Sequence, residues 1–508
     1  MKFKPAIILF CVTFALKIGL AFYFAQTAEC FGADNGVKNI YPFVPFGKIS
    51  FGGGDTYSYL GAMDNLLEQN EYYFWNGERK VYAGRMPYYG VPYFLLRSLF
   101  DKFLAGDLLV VIQIFLSSLA TILLAQLCSE ILKSNLCFWF CYSLYFLSFN
   151  FLALDLMLVP ESLSLSFLIF FLYAYHRHRI EKQFRAIFVA SVFLAFLTLL
   201  KPYFVLLYPL FFLDFAIGNQ IFTPSNWKSN FSNLTVKSIV LALPLILLLL
   251  PWAARNFVVL DKIIFSQENV YAGYKYKRAE LAFRRFTYAW GSDFIFWNPQ
   301  SRNPTYYFLK EHSEIHDQIK LPQHAITQGY SMEEIERVRQ DYLQLQEHYS
   351  FELDDDVTAR FDRLTSVYKN EKPFMYYVGS GFISAKKILL HTNSQFLLLF
   401  INPKSACYSG WQAVFRIVNS GIYLITILFG FAGIAVLTIK RKIGVIFAVI
   451  PLFLILFFGF YDRHAEGRYF IQGFPVLLLG AIFILYWFSS KHSQFIKRVF
   501  FFYTKSPW

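Results

Sequence analysis

Gly52-Gly53-Gly54-Asp55-Thr56-Tyr57-Ser58-Tyr59 is the stretch on which the reading of this chain turns. It follows the first hydrophobic segment and opens a polar, aromatic-rich loop that runs to Arg85-Met86-Pro87-Tyr88-Tyr89-Gly90-Val91-Pro92. Three glycines free the backbone, and an acid then stands where a helix can start. Asp is a favoured N-cap, so the local expectation is a short helix over residues 56–67 capped by Asp55. A carboxylate presented by such a loop at a membrane surface also suits a general base. The two roles are compatible, because a cap fixes where the carboxylate points.

The setting is a membrane. Of 508 residues, 56% are hydrophobic, 20% aromatic and only 16% charged, whereas a soluble domain is about a quarter charged. Mean hydropathy is +0.40. A net charge of +13 would suit nucleic acid, but no basic arm or nucleic-acid module is present. Much of the excess lies in short loops such as His176-Arg177-His178-Arg179 and Lys440-Arg441-Lys442, as cytoplasmic loops do under the positive-inside rule. Cys137 and Cys141 share a helix face but do not make a metal site alone. Cys30 and Cys407 fall on one side of the membrane, where a disulfide is open to them.

A span needs about 20 apolar residues. The candidates are 5–24, 108–127, 136–154, 162–175, 186–200, 203–217, 239–252, 414–439, 443–460 and 469–488. Residues 5–24 lack a clean small-residue cleavage site and read as a retained anchor. Lys201-Pro202 interrupts the run from 186 to 217, which favours two spans over one long tilted one. Ten spans with both termini in the cytoplasm then put Lys2 and Lys4, Lys133, residues 176–185, Lys228 and Lys237, residues 440–442 and residues 491–498 on the cytoplasmic side. The fold class expected is an all-α polytopic membrane protein of about ten transmembrane helices with two large extracytoplasmic loops containing short helices. Residues 1–260 form an N-terminal core with a first outer loop at 25–107. Residues 261–412 form a second outer loop, and 413–508 the last spans and a cytoplasmic tail. Within the second loop, 331–349 reads as a polar helix with a capping-box start. Asp354-Asp355-Asp356 reads as a solvated turn, and 384–400 as an amphipathic helix lying on the membrane.

Charged residues at the outward ends of these spans are the chemical candidates. Asp155 and Glu161 share a short outer turn, where Glu161 also suits a helix start. Lys201 ends its span, where snorkelling alone would explain it. Arg255-Asn256 follows Pro251-Trp252, and Arg463 and Arg468 flank the last outer turn, against the positive-inside bias. Such cations suit a phosphate, arginine bidentately, and a carboxylate among them suits proton abstraction. His312 and His316 have i, i+4 spacing but lack the order of a zinc protease motif. The triple glycine lacks the Lys of a P-loop.

These motifs together resemble the GT-C superfamily of polytopic glycosyltransferases, in its aminoarabinose-transferase-like and protein O-mannosyltransferase-like branch. Gly54 to Tyr59 followed by Arg85 to Pro92 is similar to that family's first outer loop. Pro160-Glu161 resembles its acid at a later span end, and Phe196 to Pro202 its run ending in a basic residue. Pro251 to Asn256 and Gly467-Arg468-Tyr469-Phe470 resemble its later motifs. The resemblance covers 1–260 and 414–490. It implies a GT-C-like fold in a cell (inner or plasma) membrane, with the active site on the extracytoplasmic face. The implied donor is a polyprenyl-phosphate-linked sugar. A hydroxyl of a lipid, glycan or protein acceptor attacks with inversion. Asp55 would be the base, Arg85, Lys201 and Arg468 would hold the lipid phosphate with Arg255 and Tyr59 beside them, and Glu161 would be a second acid. Some members use a divalent cation, Mg or Mn, for which Asp55 and Glu161 are the candidate ligands. Gly90 and Lys201 depart from the commoner family pattern and leave the sugar open. The rival readings are a flippase or transporter for lipid-linked saccharides and an O-antigen-polymerase-like enzyme.

Overall fold

All ten apolar stretches fold as helix. The computed structural model describes residues 3–33, 43–75, 79–218, 227–267, 277–292, 304–308, 319–392, 409–440, 442–463 and 467–503. The first run is helix α1 (Phe3–Ala33). A loop follows with two small antiparallel hairpins, β1 (Phe43–Pro45) with β2 (Phe51–Gly53) and β3 (Phe74–Trp75) with β4 (Lys80–Val81), around α2 (Gly54–Gln69) and before α3 (Gly90–Arg97). The strands were not expected of an all-α chain. The bundle continues with α4 (Lys102–Leu132), α5 (Asn135–Phe146), α6 (Phe149–Leu156), α7 (Glu161–Glu181), α8 (Phe184–Leu200), α9 (Leu207–Gly218) and α10 (Trp227–Leu260). The second loop holds α11 (Lys277–Ala289), α12 (Met332–Glu347), α13 (Phe351–Glu371) and α14 (Ser380–Leu390). The chain closes with α15 (Gly410–Ile439), α16 (Val445–Ile455), the short α17 (Gly467–Phe470) and α18 (Phe474–Tyr503).

Five of the described helices are long and apolar enough to cross a membrane. A sixth forms if α5 and α6, bent by 52°, count as one broken span. The exposed flanks are those a bilayer would cover: Ile239, Leu247 and Leu250 on α10, Ile417 and Leu428 on α15. The chain is a helical, polytopic membrane protein. Helix is the natural outcome, because backbone polar groups in lipid must bond within their own segment.

Helix ends follow local chemistry. Asp101 caps α4 by accepting from the amides of Phe103 and Leu104. Lys133 and Lys182 close α4 and α7 in the left-handed region. Pro202 stops α8 after Leu200 and starts a short 3-10 turn over Pro202–Leu206, so the break expected at Lys201-Pro202 is present. α15 and α18 cross at glycines. A Cβ on Gly433 would lie 1.9 Å from the Gly480 carbonyl oxygen, so the two backbones touch.

Several boundaries differ from expectation. The helix at Asp55 begins at Gly54, with Gly53 as its cap, and runs to Gln69. Asp55 therefore lies in the first turn and is not the cap. Asp354-Asp355-Asp356 is not a turn but the start of α13, where Asp354 is buried and accepts the Ala279 amide at 3.0 Å. The 331–349 segment is helical over Met332–Glu347, capped by Ser331. The amphipathic segment begins at Ser380, four residues before its expected start, and is packed through Gly381 and Ala385 onto Phe460 and Gly459. Residues 393–400, Cys407, His312 and His316 lie outside the described residues. α11, α12 and α13 bury their own core, with Phe283, Phe286, Trp290, Tyr342, Phe361 and Tyr368 at its centre, separate from the bundle core.

Candidate functional site

Asp55 and Glu161 are far apart in sequence but hang from one joint. The segment between α6 and α7 runs extended past β2. Leu158 donates its amide to the Phe51 carbonyl at 2.8 Å, and Phe51 pairs with Met157. Thr56 locks the crossing: its hydroxyl donates to the Leu158 carbonyl and accepts the Gly53 amide, both at 3.0 Å. Asp55 then stands in the first turn of α2 and Glu161 at the first residue of α7. Each carboxylate meets the positive end of a helix. Lys201, which terminates α8, meets a negative end.

Three cations converge on these acids. Arg468 on α17 places Nη1 2.7 Å from Asp55 Oδ2 and 3.8 Å from Glu161 Oε1. Lys201 Nζ donates to Glu161 Oε1 at 2.7 Å. Arg85 Nη2 lies 3.6 Å from Asp55 Oδ1. Its Nε donates to the Ser58 hydroxyl at 3.3 Å, and its guanidinium lies 4.9 Å from the Tyr59 ring centroid. Tyr59 leans edge-on against Tyr89. The Tyr469 ring lies beneath both Lys201 and Arg468. Glu161 is buried, and its Oε2 makes no hydrogen bond.

The group carries one positive charge in excess, which suits a bound anion. Burial pushes the Asp55 carboxyl up, but Arg468 and Arg85 outweigh it and hold it below the ordinary carboxylate value. Asp55 is therefore ionised across the physiological range.

Six of the seven expected site residues meet here: Asp55, Arg85, Lys201, Arg468, Glu161 and Tyr59. Arg255 does not. Its Nη2 donates to the Tyr72 carbonyl at 2.7 Å and its Nη1 to the Tyr82 carbonyl, while the guanidinium stacks on Tyr72 and Trp252. Tyr72 in turn donates its hydroxyl to the Arg85 carbonyl at 2.9 Å. Arg255 thus clamps the loop that carries Arg85. It also borders an apolar cavity of about 720 Å³ with Tyr72, Tyr88, Leu248 and Trp252.

Among the described residues, Asp55 and Glu161 are the only carboxylates that Arg85, Lys201 and Arg468 engage, and two acids alone are a sparse donor set for a divalent metal. No three His, Cys, Asp or Glu side chains among the described residues are placed so that they could hold a metal ion together. Arg468 occupies the space between the two acids that a bridging ion would need. Asp155 also stands apart from the cluster. It is buried and paired with Lys17 of α1 at 3.3 Å. Sequence reasoning passed over Lys17, although a lone charge inside an apolar span is itself a signal. Ser58 and Tyr469 were inside the quoted motifs without being singled out.

No known protein family matches this chain, and no curated protein is significantly similar to it.

Proposed function

We propose that this protein is an integral membrane glycosyltransferase of the GT-C type. It moves a sugar from a polyprenyl-phosphate donor to a hydroxyl of a lipid, glycan or protein acceptor. The observation that carries the reading is the meeting of Arg85, Lys201 and Arg468 around Asp55 and Glu161, since they come from three distant segments that no local rule requires to meet. In this reading the chain crosses a cell membrane about ten times, and the cluster faces away from the cytoplasm.

The acceptor oxygen attacks the anomeric carbon from the side opposite the phosphate. The carbon–oxygen bond to the lipid phosphate breaks, its electron pair stays on the phosphate, and the sugar inverts. The acceptor proton passes to Asp55. The cations stabilise the departing phosphate as charge develops on it, which is commonly the largest catalytic contribution. A carboxylate held below its ordinary pKa is a weak base but is always ready. It orients the acceptor hydroxyl first and takes the proton late, once attack has acidified it.

The test is incubation of the purified protein with radiolabelled polyprenyl-phosphate sugars. Asp55→Asn should keep the fold and lower the rate about 10²–10⁴-fold. Transfer from no donor, or full activity in Asp55→Asn, overturns the reading. Because the acids are engaged by cations, a chelator should leave the rate unchanged. Loss of activity with EDTA, restored by Mg²⁺ or Mn²⁺, would contradict that.

A further inference from the structure

We infer that the buried Lys17–Asp155 pair is a positioning device for both carboxylates of the cluster, with Ser162 as its link. The inference rests on the functional reading above for its catalytic meaning.

Lys17 lies within the apolar run of α1 and is buried, as is Asp155 at the end of α6. Two opposite charges among hydrocarbon are costly to place and are kept there by mutual satisfaction. The satisfaction is thorough. Lys17 Nζ reaches Asp155 Oδ2 at 3.3 Å and donates to the Ser117 hydroxyl at 2.9 Å. Ser117 donates onward to Asp155 Oδ2 at 2.5 Å. The other carboxylate oxygen, Oδ1, accepts the Ser162 hydroxyl at 2.5 Å. Three helices, α1, α4 and α6, thus meet on one carboxylate, and that carboxylate reaches the residue beside Glu161.

The main chain of the same segment is held from a second direction. Gln113 Nε2 donates to the carbonyls of Asp155 at 2.7 Å and Met157 at 3.1 Å. Gln113 Oε1 accepts the Tyr89 hydroxyl at 3.0 Å, and Tyr89 packs against Tyr59. Residues 155–162 are therefore fixed at both ends: Asp155 by the ion pair and Gln113, Ser162 by Asp155. Between them Leu158 offers its amide to Phe51 and its carbonyl to Thr56. Thr56 neighbours Asp55. Any slack in 155–162 moves Asp55 and Glu161 against the cations that face them. A misplacement of about 1 Å in a reacting array can cost on the order of 10²-fold.

If the pair only stabilised the bundle, apolar replacement of both members would restore everything, since a buried ion pair exchanged for well-packed hydrophobic residues is often neutral. Positioning predicts otherwise. The double variant Lys17→Met/Asp155→Leu should keep its melting temperature within a few degrees. Its kcat should fall about 10- to 100-fold with the donor KM little changed. The amide of Leu158 should exchange with deuterium at least about tenfold faster, because its pairing with Phe51 is no longer held. Ser162→Ala leaves the ion pair whole and should show both effects in smaller measure. It carries the test if the double variant does not fold. Wild-type kcat together with wild-type exchange in a folded variant overturns the inference. If the unmodified protein transfers no sugar at all, the functional reading falls, and the exchange of Leu158 alone decides whether Lys17 fixes the segment.

Discussion

Arg468 is the residue with most to lose. Its Nη1 is shared between Asp55 and Glu161. Lysine would bring one charge but not the planar fork. Loss of a hydrogen bond to a charged group costs about 1.5–3 kcal/mol, so Arg468→Lys should slow transfer about 10- to 100-fold. The pH dependence tests the same contact. A carboxylate held below its ordinary pKa stabilises the fold at pH values above that ordinary value, about 4, and this contribution is lost only as pH falls through the lower folded value. The acid limb of activity should accordingly lie below about pH 4. Arg468→Met removes the strongest cationic influence and leaves burial less opposed, so the limb should move upward. An unchanged limb in a pH–rate profile of Arg468→Met would break the link between this arginine and Asp55. Most of these residues were legible in sequence because they are anomalous: charges at span ends, arginines against the positive-inside bias. Arg255 looked the same and does something else. Its partners are the carbonyls of Tyr72 and Tyr82, and backbone acceptors carry no sequence signature.

Among the helices, the tightest fit is between α15 and α18. Gly433 abuts the Gly480 carbonyl, and a Cβ on Gly480 would stand 2.2 Å from the Gly430 carbonyl. Gly433→Leu should therefore destabilise by about 1–3 kcal/mol or more, read as a fall in the thermal midpoint of the detergent-solubilised protein. A midpoint within experimental scatter of the parent would mean that the helices can part without cost. The positions of the helices were readable from hydropathy, because an apolar run in lipid has few other folds to adopt. Their ends were not. α1 continues through polar residues to Ala33, and α4 begins at Lys102, before its apolar run. Asp354-Asp355-Asp356 looked like a solvated turn because its reason is tertiary: Asp354 receives the Ala279 amide from α11.

For the whole molecule, orientation is the outstanding prediction. Both large loops should face away from the cytoplasm, because Lys/Arg clusters recur on the other side. Cysteine placed at Ser331 should react with an impermeant thiol reagent in intact cells, and cysteine at Ser134 only after the membrane is opened. The reverse pattern would invert the map. The second-loop helices have their own aromatic core, which composition alone did not distinguish from the aromatic belts of the spans. Lys17 escaped notice for a related reason, since one charge barely lowers the mean hydropathy of a long apolar window.

The joint that carries the two acids is made chiefly of peptide groups, and peptide groups are indifferent to what side chains they bear. Phe51 and Leu158 meet through a carbonyl and an amide, with Thr56 as the one side chain in the bond pattern. Both side chains are buried in the bundle core, so exchange at 51 and 158 spares the bond so long as the replacement fills the same apolar space and proline stays out of 158, where it would remove the donor. A lineage could rewrite much of the surrounding text and keep the spacing of its carboxylates. Kinship in such proteins is better sought in backbone geometry than in spelling.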